Sequence, residues 1–576
     1  MIPTALPTSV EGLDVTKWET FGPYFEELQN RPLSPETTRK WLEDWSQLSR
    51  VLWEGASLIY IAKSLDTTDK EKEAAFLTLI QNVIPKAEVA QQALKERLLA
   101  LDVPDEDMQL VLRSMRNEAD LFRDENVPLL TKLEELSNEY DKLTGGMKVD
   151  WDGEEKNLNQ LRPFLQSPDR AVRERAWKAN MGAWLAERGR LNEIYADMLA
   201  LRRQVAENAG MSDFRAYAFR SHGRFDYTPE DCLIFHDAIA EVVVPAAQRL
   251  LARKRRQAGY DRLLPWDNVP EQGIIMDTAD APPLHPYETQ EELVETAMTI
   301  FGQLDPALNL YFMTMADEEL LDLQTRAGKA LGGYCSSLPL RRRPFIFMNG
   351  VGMHDDVQTL LHEAGHAFHV FETADLPLVW QENPPMEFCE VASMSMELLA
   401  APYLAEEKGG FYSATEAARA RIEHLEKLLL FWPYMAVVDA FQHWVYTHAD
   451  EAMDAGNCDR KWGELWDRFL PGVDWTGYED VRVTGWHRKL HIFGIPFYYI
   501  EYGLAQVGAL QVWRNSLTDP YEAIAAYRHA LALGDTKTLP ELFAAAGAEF
   551  RFDAAMLGDL VDLIETTIAS LETELA

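Results

Sequence analysis

Cysteine is scarce in this chain: four residues in 576, at positions 232, 335, 389 and 458, with no Cys-x-x-Cys pair. So wide a scatter argues against a disulfide-stapled secreted scaffold and suits buried thiols in a reducing compartment. Long apolar runs are lacking as well. The longest, residues 428–438, contains Pro433 and is too short to span a bilayer. The first residues carry neither a basic run nor an apolar stretch, so no secretory signal is expected and a cytoplasmic location is the simplest reading. Basic charge is in deficit: 55 Lys and Arg face 93 Asp and Glu, a formal net charge of -38. That balance repels nucleic acid and anionic membrane and argues against both as partners. Internal repeats and low-complexity segments are absent.

What is present is a globular composition, 47% hydrophobic and 11% aromatic, in a chain long enough for more than one domain. Apolar residues recur at spacings of three and four over 34–100, 105–143 and 169–209, amid dense Glu, Lys, Gln and Ala. Ser34-Pro-Glu, Thr67-Thr-Asp, Ser167-Pro-Asp and Thr228-Pro-Glu-Asp mark helix starts. The expected fold is mainly α, with almost everything outside 325–350 helical. Gly145-Gly146 and the loop from Asp150 form a break, a turn or short β segment, and the Pro- and Asp-rich stretch 263–286 reads as a surface loop. One division is expected near residue 165, separating an N-terminal helical region (1–165) from a catalytic region (166–576).

Residues 362–366 read His-Glu-Ala-Gly-His. Positions four apart share one face of a helix, so His362 and His366 can offer imidazoles to one ion while Glu363 reaches a water beside it. Asp355 and Asp356 suit the N-terminus of that helix. His369 shares the face, but seven residues of rise, roughly 10.5 Å, separate it from His362, too far for one small ion. It is expected to pack or to support. The third ligand is sought among Glu382, Glu387, Glu390 and Glu397, around a helix that starts after Pro384-Pro385. Spacing alone leaves the choice open, although Glu390, flanked by Phe388, Cys389, Val391 and Ala392, is expected to be partly buried and in need of a partner. Glu387 and Glu397 share its face and could orient ligands.

Three stretches carry a family resemblance. They are Gly328-Lys-Ala-Leu-Gly-Gly-Tyr-Cys-Ser-Ser, Pro344 through Asn349 with Asp356 through His369, and Glu387-Phe-Cys-Glu-Val-Ala-Ser393. Together they resemble the thimet oligopeptidase and oligoendopeptidase F family of zinc peptidases, the oligoendopeptidase F branch most. The resemblance implies one zinc ion with Glu390 as the third ligand beside His362 and His366. It also implies a large helical zincin-type fold enclosing a deep channel, which admits short flexible peptides.

A peptide also needs a surface to pair with. Gly332, Gly333 and Tyr334, followed by a β-prone segment holding Phe347, suggest a small hairpin or edge strand beside the motif helix that binds substrate backbone. Farther on, Pro496 can open a helix bearing Tyr499 and Tyr502 on one face, with Tyr498 and Glu501 beside them. Fixed, neutral phenols suit a developing oxyanion. This segment resembles the family's late His/Tyr motif, which implies roles for His491, Tyr499 and Tyr502 in catalysis and for Tyr498 in binding. Arg224 and Tyr227 fall in a further matching stretch that reads as structural. The expected activity is zinc-dependent hydrolysis of internal peptide bonds. Its rivals are a metallocarboxypeptidase that trims C-termini and a silent zinc-containing peptide binder, against which an intact Glu363 argues. Oligomeric state is not legible.

Overall fold

The computed structural model describes residues 6–101, 108–269, 273–274, 283–326, 328–330 and 332–575. Helices dominate, with three small sheets among the described residues. The mainly-α expectation therefore holds. The chain divides into two compact units, each made of three separated segments. Residue 165, where the sequence suggests one division, lies within the second unit.

The first unit comprises Met1–Phe122, His285–Ala417 and Gly508–Phe550. Its N-terminal helices bury the apolar stripes that the three-and-four spacing foretells: Trp41, Trp45, Leu48 and Leu52 from Thr38–Leu65 meet Leu94 and Leu98 from Ile84–Leu99. Asp69 caps the helix Lys70–Thr78, accepting from the amides of Glu71 and Lys72, as the Thr67-Thr-Asp signal leads one to expect. Trp45 meets Trp380 edge-on at 4.5 Å, and Arg50 forms a buried ion pair with Glu382. That pair fastens the turn leading to the helix Met386–Ala400.

The same unit holds a three-stranded sheet. Its central strand, Arg343–Gly350, pairs antiparallel with Tyr334–Leu338 and parallel with Leu321–Gln324. The hairpin follows the β-prone sequence; the parallel strand was not expected, because Leu321–Gln324 is too short to show a period. From Gly350 the chain turns into the motif helix, His354–Thr373. Asp356 holds that turn, accepting from the amides of Val351 and Met353 at 2.8 Å each and from the Tyr287 hydroxyl at 2.7 Å. An acid in the first helical turn also faces the positive end of the helix dipole.

The second unit comprises Arg123–Leu284, Ala418–Val507 and Arg551–Ala576. Thr228 and Asp231 form a capping box on Pro229–Ala238. The break after Gly145-Gly146 is a two-stranded hairpin, Lys148–Trp151 with Glu154–Asn157. Asp152 and Gly153 both have positive φ at its tip (57° and 85°), as an Asp-Gly turn of type I′ requires. Trp151, Trp177, Trp266 and Val481 build a core beside it. Of the expected loop over 263–286, Asn268–Val269 and Gly273–Ile274 pair as short strands, while 270–272 and 275–282 lie outside the described residues, as does the expected helix start at 105. The apolar run 428–438 falls inside the long helix Ala414–Thr447. Among the described residues no helix is long and apolar enough to cross a membrane.

Two histidines of the second unit are held neutral by burial. Desolvation lowers His222 to about 4 and His487 to about 3. The unfolded chain then binds more protons than the folded one below pH 6.5, so stability is full above that pH and falls as pH drops toward 4. Each histidine contributes a slope of about 1.4 kcal/mol per pH unit inside that window. Urea unfolding at pH 7 and pH 5 should show this loss, and His222→Gln should shrink it. An unchanged pH dependence in that variant would contradict the assignment.

Candidate active site

The motif helix packs against the helix Met386–Ala400, and one glycine permits the close approach. A Cβ added at Gly365 would stand 2.6 Å from the backbone oxygen of Ala392 and 2.6 Å from Cα of Ser393. Nothing larger than hydrogen fits there. The Tyr527 hydroxyl donates to the same Ala392 oxygen at 2.8 Å. The signal for this contact in the sequence is a helix breaker standing between two chemistry-bearing histidines.

This contact brings Glu390 opposite the histidines. Glu390 Oε2 lies 3.4 Å from His362 Nε2 and 3.7 Å from His366 Nε2. One ligand atom from each of the three lies within 4.8 Å of the others. Zinc with ligands at about 2.0–2.1 Å in a tetrahedron has ligand-to-ligand edges of about 3.3 Å, so these residues fit that ion. The supporting bonds fit too. Glu397 stands 2.7 Å from His362 Nδ1, leaving Nε2 for the ion, and the Ser393 hydroxyl donates to Glu390 Oε2 at 3.1 Å.

Charge points the same way. Glu363, Glu390 and Glu397 crowd two imidazoles in a largely buried setting. Burial by itself would lower His362, but the carboxylates of Glu390 and Glu397 outweigh it and hold its pKa well above 6.5. His366, with weaker carboxylate contacts, is lowered by burial to about 4. Desolvation raises Glu363 to about 7, with Glu390 and Glu397 adding to it. A cluster this rich in carboxylate favours a cation, and a dication would pull Glu363 back toward its ionised form. His369 stays out of the cluster: it is buried and neutral, its ring edge-on to Phe388 at 6.0 Å. Of the other candidate glutamates, Glu382 is on Arg50, and Glu387 is buried on the same helix as Glu390 but outside the triad.

The expected substrate strand lies against Glu363. A Cβ on Gly333 would meet Thr359 Cγ2 at 3.2 Å and Glu363 Oε1 at 3.5 Å. Gly332 is exposed with φ at +90°, a backbone that favours glycine. Asn349 pins this loop by donating to the carbonyls of Ala330 and Gly332 at 2.8 and 2.9 Å, a role the sequence reading did not see. Tyr334 stacks on its cross-strand partner Phe347, ring centroids 4.8 Å apart. Phe347 itself is fully buried, so its side chain packs the sheet and presents no surface to a peptide. That corrects its expected place among the substrate contacts.

In the second unit the late motif forms its own cluster. The His491 ring centroid lies 5.0 Å from Tyr499, 5.9 Å from Tyr498 and 6.0 Å from Tyr502. The expected helix from Pro496 is displaced: the helix is Ile500–Ser516, and Tyr498 and Tyr499 sit in the turn before it. Phe497 has a positive φ of 69°, which breaks the helix there. The cause is tertiary. Arg224 donates to the Phe497 carbonyl and pairs with Glu501 at 2.7 Å, both side chains buried. Gln442 accepts from the Phe497 amide at 2.7 Å, and His222 bonds the Pro496 carbonyl at 2.9 Å. Tyr499 is buried against Phe431 and Tyr434 with the Lys489 ammonium 4.0 Å over its ring, whereas His491, Tyr498 and Tyr502 are half-buried.

The fold and this site define a mainly α-helical peptidase. A family model described as Peptidase family M3 matches residues 164–561, more than half of the chain, and the chain belongs to that family. A solved structure assigned as an oligoendopeptidase F is 28% identical, with 98% of this chain and 99% of that one covered and a TM-score of 0.89. PZ peptidase A, solved with an inhibitor, is 28% identical, covered over 98% of both chains, with a TM-score of 0.86. Chromosomal oligoendopeptidase F of Lactococcus lactis subsp. cremoris is 33% identical over 92 residues, a match spanning 16% of this chain and 15% of that relative.

If Gly365 sets the helix spacing, Gly365→Ala must push Glu390 away from the histidines without touching a ligand. Overpacking of this kind costs about 1–3 kcal/mol. The variant should melt lower and lose bound zinc to a chelator at least tenfold more readily than wild type. Unchanged melting and unchanged metal retention would show that the close contact does not matter.

Proposed function

We propose that this chain is a zinc-dependent oligoendopeptidase that hydrolyses internal bonds of short, unstructured peptides. The observation that carries the reading is the convergence of His362, His366 and Glu390 on one point, with the buried carboxyl of Glu363 beside it. His362, His366 and Glu390 would hold the ion, and a zinc ion so held supplies Lewis-acid polarisation of a carbonyl and acidifies water. Glu363 accepts the proton of the attacking water and delivers it to the departing amine. Its carboxyl is buried beside the triad, and a cation held there would keep it ionised and ready to accept that proton. Glu397 keeps His362 in the tautomer whose Nε2 is free to ligate.

The exposed backbone at Gly332-Gly333, held by Asn349 beside Glu363, pairs with the substrate main chain, so recognition is tolerant of sequence. His491, Tyr499 and Tyr502 are part of the proposal as donors to a developing oxyanion, on the chemistry of their cluster and the family resemblance. The names of the relatives favour internal cleavage over trimming of ends.

The test is the cleavage of an end-blocked peptide mixture read by mass. Wild type should produce internal fragments, and a chelator should abolish them. Glu363→Gln should keep its zinc and lose at least about two orders of magnitude in rate, the scale of general-base catalysis. Glu390→Ala should lose the zinc. Full activity in Glu363→Gln, or one tightly held zinc in Glu390→Ala, would overturn these roles.

A further inference from the structure

A second cluster of ligand-type side chains lies in the second unit, and neither the motif nor the peptidase reading uses it. Two helices each supply a pair spaced by four residues, so that each pair shares one helix face. Pro229–Ala238 supplies Cys232 and His236, and Ala414–Thr447 supplies Asp439 and His443. Ligand atoms of Cys232, Asp439 and His443 lie within 4.8 Å of one another. His236 Nε2 stands 2.8 Å from Asp439 Oδ2, and His443 Nε2 stands 3.2 Å from the same oxygen.

Burial makes this arrangement costly as it stands. Cys232 is 1% exposed, His236 2%, Asp439 0% and His443 4%. Aromatic rings enclose the group: Phe219 and Phe497 lie against His443, and Phe469 against His236. Yet Asp439 Oδ1 and His443 Nδ1 have no hydrogen-bond partner among the described residues. Two orphaned polar atoms in one apolar shell are unusual, since buried polar groups are almost always bonded.

We propose that Cys232, Asp439 and His443 bind a second divalent cation of the zinc class, with His236 orienting the Asp439 carboxylate. The donor set suits that class: a thiolate selects against magnesium and calcium, and imidazole with carboxylate completes a borderline-soft site. Charge closes as well. A dication, one thiolate, one carboxylate and neutral imidazoles sum to zero, the only balance a fully buried site tolerates cheaply. Binding releases the Cys232 proton to solvent and forms the sulfur–metal bond in its place. The ion would tie Pro229–Ala238 to Ala414–Thr447, a structural role distinct from the histidine–glutamate site in the other unit. The proposal does not depend on the catalytic reading.

Cobalt distinguishes the two sites, because only a thiolate ligand gives sulfur-to-cobalt charge-transfer absorption in the near ultraviolet. The full-length protein, stripped of metal and titrated with Co²⁺, should develop that band with one equivalent of ion. The band should persist in His362→Ala, which removes a ligand of the other cluster, and vanish in Cys232→Ser. Metal analysis of the protein purified without chelator should give one zinc equivalent in His362→Ala. No band at saturating cobalt, or a band that survives Cys232→Ser, overturns the proposal. So does a His362→Ala protein free of metal, which would leave Asp439 as the anion of a plain His–Asp–His network. Should Cys232→Ser fail to fold, the wild-type and His362→Ala measurements decide alone.

Discussion

The separation between two helices governs the site, and the hydrogen side chain of Gly365 sets it. With the backbone of Ala392 and Ser393 only 2.6 Å from where a Cβ would be, the motif helix and its neighbour meet too closely at this point for any side chain. Glu390 sits two residues before Ala392, so the contact that brings the backbones together also carries its carboxylate to the histidine face. Everything else at the site is arranged around that distance. Asp356 and Tyr287 anchor the start of the motif helix, Glu397 fixes the ring of His362, and Ser393 steadies Glu390.

Electrostatics then decides what the pocket prefers. Two imidazoles facing three carboxylates in a low-dielectric setting leave negative charge uncompensated unless a cation is present. Protonation of His362 is one answer, and a metal ion that displaces that proton is the stronger one, because it serves both imidazoles and Glu390 together. The second unit solves a different problem. The segment from Leu490 to Tyr499 is a five-residue helix, Leu490–Gly494, followed by an irregular turn, and polar side chains determine its course: Arg202, His222, Arg224 and Gln442 bond its carbonyls and amide. A segment held so firmly keeps the rings of His491 and the tyrosines in fixed places.

Much of this was legible in the sequence. Helices followed from three-and-four spacing, and caps such as Asp69 and the Thr228–Asp231 box from residue type, because both signals are local. His362, Glu363 and His366 are likewise local, fixed by one turn of helix. Glu390 was not: among four glutamates, spacing could not choose, and the choice depends on helix contact at Gly365. The tyrosine turn escaped for the same reason. Pro496 is a fair helix starter, but Arg224 and Gln442, more than fifty residues away in sequence, hold Phe497 at positive φ and delay the helix to Ile500. Phe347 was expected on a hairpin or edge strand with free main-chain groups; its strand is instead central, paired on both sides, and stacking under Tyr334 buries its ring. The Cys232–Asp439 cluster was invisible because its halves lie some two hundred residues apart and neither half is a motif.

The central claim is that one ion is shared by His362, His366 and Glu390. Diffraction from crystals of the full-length protein, collected on both sides of the zinc absorption edge, tests it most directly. The account predicts an anomalous peak about 2.0–2.1 Å from Nε2 of both histidines and from a Glu390 carboxylate oxygen. A map with no peak among those three side chains, or with a peak that Glu390 does not touch, would contradict it.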